Sequence, residues 1–144
     1  MAGWIESESV AELGRNTHLK AAGFWERLST APGIILTEPL SYPAFLVLMD
    51  AARLVLTDSG GVQEETTVLS VPCLTLRTST ERPVTRTHGT NRLVDPHDCK
   101  AIIAAADAAL ARSAPPLKRR PELWDGHASE PIVAAIADWS LRIS

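Results

Sequence analysis

Asp58-Ser59-Gly60-Gly61, followed directly by Val62-Gln63-Glu64-Glu65, is the stretch of this chain best equipped for chemistry. In front of it the apolar run Arg53-Leu54-Val55-Leu56 reads as a buried parallel strand. Behind it residues 62–69 contain neither Gly nor Pro and can wind as a helix. Strand, tight turn and helix in that order leave the first N–H groups of the helix without partners. Gly60 and Gly61 remove the side chains that would hold an anion away from those donors, and the helix dipole adds partial positive charge at the same place. The turn also lies where a strand ends, the usual ligand edge of an open α/β sheet. The chemistry expected of Ser59, Gly60 and Gly61 is therefore the seating of a phosphate group. Glu65 stands about one helical turn beyond Gly61 and could accept paired hydroxyl protons, as acids do with ribose. Phosphate on the amides and ribose on the acid would describe a nucleotide. The plainer alternative is that the glycines only make a turn and the two glutamates only compensate the dipole.

A second motif stands after the next apolar run. Val71-Pro72-Cys73-Leu74-Thr75-Leu76 reads as a strand, and Arg77-Thr78-Ser79-Thr80-Glu81-Arg82-Pro83 follows it at the same strand-end edge as Ser59. Arg82 could offer a fixed positive fork to a diphosphate. The alternative pairs Arg82 with Glu81 or Glu65 on the surface.

Several of these motifs, in order, resemble the UDP-N-acetylglucosamine 2-epimerases. The resemblance rests on residues 58–65, on Pro72-Cys73-Leu74-Thr75-Leu76-Arg77, on Thr80-Glu81-Arg82-Pro83 and on Gly89-Thr90-Asn91-Arg92-Leu93-Val94. It extends upstream to Glu38-Pro39-Leu40-Ser41-Tyr42-Pro43-Ala44-Phe45 and downstream to Leu123-Trp124-Asp125-Gly126-His127-Ala128-Ser129. The family implies a two-domain GT-B architecture with a nucleotide sugar between Rossmann-like halves, and this chain resembles the C-terminal half only. By that resemblance Ser59 and Gly61 contact the diphosphate, with Gly60 in the same turn. Glu65 meets the ribose, Arg82 the phosphate region, and Phe45 packs on the uracil ring. The catalytic carboxylates and histidine of the family belong to the other half, so no residue here is assigned a catalytic role. Ser70 stands where a Gly is usual, Asp95 where the family tends to have Gly, and Leu40 where some members carry a polar residue.

The resemblance implies the interconversion of UDP-N-acetylglucosamine and UDP-N-acetylmannosamine, in cell-surface polysaccharide biosynthesis. It implies no metal and no redox cofactor. The partners it implies are UDP-N-acetylglucosamine or UDP, the N-terminal catalytic domain, and a second copy in a homodimer of the full-length form. Removing and returning the C2 proton needs positioned acid/base groups, so the chain by itself is expected to be inactive. Three other readings stay open: a stand-alone module binding UDP or a nucleotide sugar, half of a hydrolysing 2-epimerase, and a truncated remnant.

The bounds agree with a single α/β domain. The 144 residues can bury a core, and the formal charge of −3 lacks the basic stripe of a nucleic-acid binder. Cys73 and Cys99 have no zinc-ligand spacing, and Cys73 falls in a strand as a packed thiol. There is no membrane-length apolar run and no leader-like start, so a cytoplasmic location is expected. Residues 1–30 are read as a separate helical segment that could be a truncation edge, and 31–144 as the UDP-sugar-binding domain. Within 1–30, Ser9 could cap a short helix through Leu13, and Leu19, Ala22, Trp25 and Leu28 form a stripe interrupted by Gly23.

Further along, 34–36 reads as a strand. A helix opens at Tyr42 with Phe45, Leu48, Met49 and Ala52 on one face, and 91–94 reads as a strand. Arg86 and His88 between Pro83 and Gly89 are read as solvated. A helix over 98–111 would turn Ile102, Ile103, Ala106 and Leu110 inward. A last helix over 131–141 would gather Ile132, Val133, Ile136 and Trp139 on one side. Alternating strands and helices predict a Rossmann-like parallel α/β sheet.

Overall fold

The computed structural model describes residues 17–111 and 121–142, so the helix expected over 9–13 lies outside the described residues. The chain divides into two compact units, Met1–Phe45 and Leu46–Ser144.

In the first unit the expected stripe falls on two short helices, α1 (Thr17–Ala21) and α2 (Trp25–Thr30). The break falls at Gly23, whose φ of +73° is one that only glycine adopts freely. Lys20 Nζ lies 4.7 Å over the Trp25 ring, a cation–π contact joining the two short helices. The strand expected over 34–36 does not form. Ile35 is 86% exposed, and no described strand runs beside it to take its backbone hydrogen bonds. Helix α3 (Tyr42–Asp50) starts where Pro43 predicts, and its chain passes from the first unit into the second. On it Met49 is buried, but Leu48 is exposed, so the expected four-residue face narrows.

The second unit holds a parallel sheet of β1 (Val55–Thr57), β2 (Cys73–Leu76) and β3 (Asn91–Val94), in the order β1-β2-β3. Val55 pairs with Cys73 and Cys73 with Asn91, so the three strand starts lie side by side. Helix α4 (Gly60–Leu69) connects β1 to β2, and α5 (Pro83–Thr87) connects β2 to β3. The short α5 covers residues that read only as a solvated connection, although His88 just beyond it is exposed and bonded to Thr87 Oγ1 at 2.9 Å. The run 53–56 was expected as a buried strand. Instead β1 is one of the two edge strands of the described sheet, and Leu56 is half exposed.

Alternation along β2 gives the sheet two unlike faces. Leu74 packs with Val94 and Ala105 in an apolar core, backed by Leu54, Leu76, Ala101, Ile102 and Ala106. Helix α6 (Cys99–Leu110) supplies the alanines of that core, and Asp98 Oδ1 caps it by accepting from the Ala101 N–H at 2.9 Å. Ile103 and Leu110, expected inward, are exposed, because the small Ala101 and Ala105 bring the helix down on a neighbouring stripe. The other face carries Cys73, Thr75 and Asn91, all buried, together with Gln63, Thr66 and Thr67 of α4 and Thr85 of α5. Burial pushes the Cys73 thiol above its usual range. Helix α7 (Ser129–Arg142) ends the described chain with no buried residue.

Candidate functional site

The β1–α4 turn forms as its residue types predict. Ser59 is the last non-helical residue, with extended φ −78° and ψ 131°, and its side chain makes no capping bond. Its own N–H instead donates to Thr57 Oγ1 at 3.0 Å, which ties the turn to the end of β1. The opening N–H groups of α4 therefore start without the side-chain acceptor that usually satisfies one of them. Ser59 and Gly61 are exposed. A Cβ built on Gly61 would meet nothing closer than Ser59 Oγ at 4.0 Å, so no protein atom requires glycine there. Gly60 differs, because a Cβ on it would lie 3.0 Å from Glu81 Oε1.

That contact shows how the second motif folds back. The loop after β2 carries Glu81 to Gly60 and Arg82 to α4 one turn further along, where Arg82 Nε lies 2.9 Å from Glu64 Oε1. The pair is an ion pair by distance, but the N–H is not aimed for a hydrogen bond. The surface alternative expected Glu81 or Glu65 as the partner; the partner is Glu64, and Glu81 pairs with Arg77 at 3.2 Å. Sequence neighbours lose to Glu64 because the chain reverses between β2 and α5. Both peptide groups of Arg82 are held as well. Its N–H donates to Thr80 Oγ1 at 3.0 Å, and its carbonyl accepts from Thr85 Oγ1 at 2.8 Å. With Glu64 at Nε, the two Nη groups of Arg82 have no hydrogen bond or ion pair among the described residues.

A backbone hydrogen bond and the Arg77 guanidinium hold the Glu81 carboxyl below the usual carboxylate range. The edge thus presents an uncapped helix start and the free end of an arginine fork, beside a carboxylate that stays charged. Glu65, half buried on α4, makes no ion pair among the described residues. The Glu81 contact at Gly60 and the Arg82–Glu64 pair therefore bring Arg82 to the same strand end as Ser59, Gly60 and Gly61, whereas Glu65 shares α4 with them but no contact ties its side chain to Arg82 or to the turn. Phe45, 36% exposed on α3, belongs to the other unit. Sequence reasoning missed Glu81 at Gly60; its signal was the acidic residue standing directly before Arg82. Among the described residues no group of three or more His, Cys, Asp or Glu side chains could hold a metal ion, and no helix is long and apolar enough to cross a membrane.

Residues 10–137 match the profile of the family described as UDP-N-acetylglucosamine 2-epimerase. The chain belongs to that family. A UDP-N-acetylglucosamine 2-epimerase of Methanocaldococcus jannaschii is 48% identical over 86 residues, 60% of this chain and 24% of its own length. One of Salmonella borreze is 51% identical over 86 residues, 55% of this chain and 23% of its length. The crystal structure of the Methanocaldococcus jannaschii epimerase in complex with UDP-GlcNAc and UDP superimposes with a TM-score of 0.72 and 37% identity. That superposition covers 85% of this chain and 33% of the other. The chain thus spans about a quarter of the length of the curated epimerases it matches. The fold class read from the sequence, a Rossmann-like parallel α/β sheet as in the nucleotide-binding half of a GT-B fold, is the one this epimerase likeness supports.

Proposed function

We propose that this chain supplies the UDP-holding half of a UDP-N-acetylglucosamine 2-epimerase. The observation that carries the reading is that the loop after β2 folds back on α4, with Glu81 against Gly60 and Arg82 Nε against Glu64, beside an α4 start that no side chain caps. A diphosphate there would take hydrogen bonds from the helix amides and from the guanidinium, both strengthened by its charge. Negative charge develops on the diphosphate as UDP departs, so a fixed positive seat favours that step. Glu65 would bond the ribose hydroxyls. The placing of Phe45 on the uracil ring is a separate proposal that rests on the family resemblance alone. The acid/base groups that move the C2 proton would come from a second, N-terminal domain, so the 144-residue chain binds but does not turn over. A cytoplasmic place and a part in surface-polysaccharide synthesis go with this reading, and residues 31–144 are its UDP-sugar-binding domain.

Titration calorimetry with UDP and uridine tests it. UDP should bind more tightly than uridine. Gly61→Val should fold normally, since Gly61 is exposed and a Cβ there meets no protein atom closer than 4.0 Å, yet lose UDP binding because valine blocks the amides. Arg82→Ala should weaken UDP by about 1.5–3 kcal/mol and leave uridine unchanged. Glu65→Ala should weaken both ligands, because both carry ribose. Equal losses for UDP and uridine on Arg82→Ala, or full UDP binding by Gly61→Val, would remove the phosphate seat from this edge.

A further inference from the structure

Arg82 is fastened by a closed ring of hydrogen bonds that begins and ends on its own peptide groups. Its N–H donates to Thr80 Oγ1 at 3.0 Å, and that hydroxyl donates to Gln63 Oε1 at 2.7 Å. Gln63 Oε1 also accepts from Asn91 Nδ2 at 3.0 Å, and the second hydrogen of Asn91 Nδ2 goes to Thr85 Oγ1 at 3.1 Å. Thr85 Oγ1 returns its own proton to the Arg82 carbonyl at 2.8 Å. Thr75 Oγ1 donates to Asn91 Oδ1 at 2.6 Å and pins the ring to β2. Each hydroxyl gives its single proton once, so the donors and acceptors form one consistent set.

The ring is poorly designed for stability alone. Gln63 is fully buried, and its Nε2 has no hydrogen-bond partner. A buried donor left unsatisfied is destabilising, and an apolar residue of similar volume would avoid that cost. What the glutamine does provide is a rigid link. It sits in the first turn of α4, so its amide joins the helix start to the loop carrying Arg82. Arg82 itself caps α5 at φ −117° and ψ 60°, outside the helical region, and needs both peptide groups held to stay there.

We propose that Gln63, acting through Thr80, is a positioning residue that sets the distance between the Arg82 guanidinium and the helix amides, the two arms that would grip a diphosphate. The inference rests on the phosphate reading given above. Gln63 touches no ligand in this scheme. It acts by keeping Arg82 where a diphosphate can bridge it to α4, which is preorganisation of a binding fork.

The test is a set of thermodynamic cycles on the full 144-residue chain, with UDP and uridine as probes in calorimetry. Gln63→Met and Thr80→Val should each lower UDP affinity about tenfold, while uridine changes less than twofold. Thr80→Ser keeps the hydroxyl and should restore wild-type affinity. In an Arg82→Ala background the same two substitutions should cost nothing further, because the residue they position is gone. Thr80→Val, at a half-buried site, keeps the test usable if Gln63→Met does not fold. The inference is overturned if the losses persist in the Arg82→Ala background, if uridine weakens in parallel, or if Thr80→Ser behaves like Thr80→Val. A wild-type chain that binds UDP no better than uridine gives a different result: it defeats the phosphate reading itself, and this inference with it.

Discussion

Gln63, Thr66, Thr67, Thr75 and Thr85 are each at most 1% exposed, whereas Ile132, Val133, Ile136 and Trp139 of α7 are 55–65% exposed. Hydrophobicity alone would sort these two sets the other way. The polar set lies beneath the strand edge that carries Ser59, Gly60 and Arg82, and nearly every hydrogen-bonding group in it is matched. Thr66 and Thr67 return their hydroxyls to the Val62 and Gln63 carbonyls at 2.8 Å, and Asn91 uses both amide hydrogens. Matched polar groups offset most of the cost of leaving water, and in exchange they fix direction as well as distance. The α7 stripe has the pattern of a packing face but contributes no buried residue. Among the described residues, burial therefore gathers on the two faces of the sheet and none falls in the last helix.

The comparison is broken most directly at Gly89. A Cβ there would collide with Thr67 Oγ1 and with the Thr85 carbonyl, where α4 and α5 close over the polar face. Gly89→Ala should cost about 3 kcal/mol or leave the chain unfolded, read as a fall in the urea midpoint. An unchanged midpoint would mean the polar layer is not tightly packed. Ser70 tests the far end of α4. It closes that helix at φ 61°, with its N–H bonded to the Thr66 and Thr67 carbonyls. Serine is strained in this left-handed conformation and glycine is not. Ser70→Gly should stabilise by roughly 1 kcal/mol without altering ligand binding; a loss of stability would show that the serine side chain matters in its own right. The smallest effect belongs to α7. Ile136→Ser should shift stability by less than about 0.5 kcal/mol, because the side chain is already in water. A loss several times larger would show that the stripe is covered in solution.

Much of the candidate site was legible because it depends on local chemistry. Ser59-Gly60-Gly61 between an apolar run and a Gly-free, Pro-free stretch predicts a strand, a turn and a helix start, and the helix begins at Gly60. Asn91–Val94 forms as a strand over the residues read from pattern, and α6 follows Asp98 as its cap. Short-range periodicity was less reliable for which residues point inward. Ile103 and Leu48 read as core and are exposed, since a helical stripe leaves open which of two adjacent rows meets the sheet.

What the sequence by itself determined about this protein is its family, its parallel α/β class and the turn that opens α4, because these are written in contiguous motifs. Only the tertiary structure decided how Arg82 is held. Gln63 meets Thr80 from 17 residues away and Asn91 from 28, and Arg82 chooses Glu64 over its neighbour Glu81. Those pairings exist because parallel pairing sets Asn91 beside Cys73, and because the loop after β2 folds back over α4. A glutamine in a polar stretch of helix carries no local mark of burial. Its environment comes from residues that only the sheet brings to it.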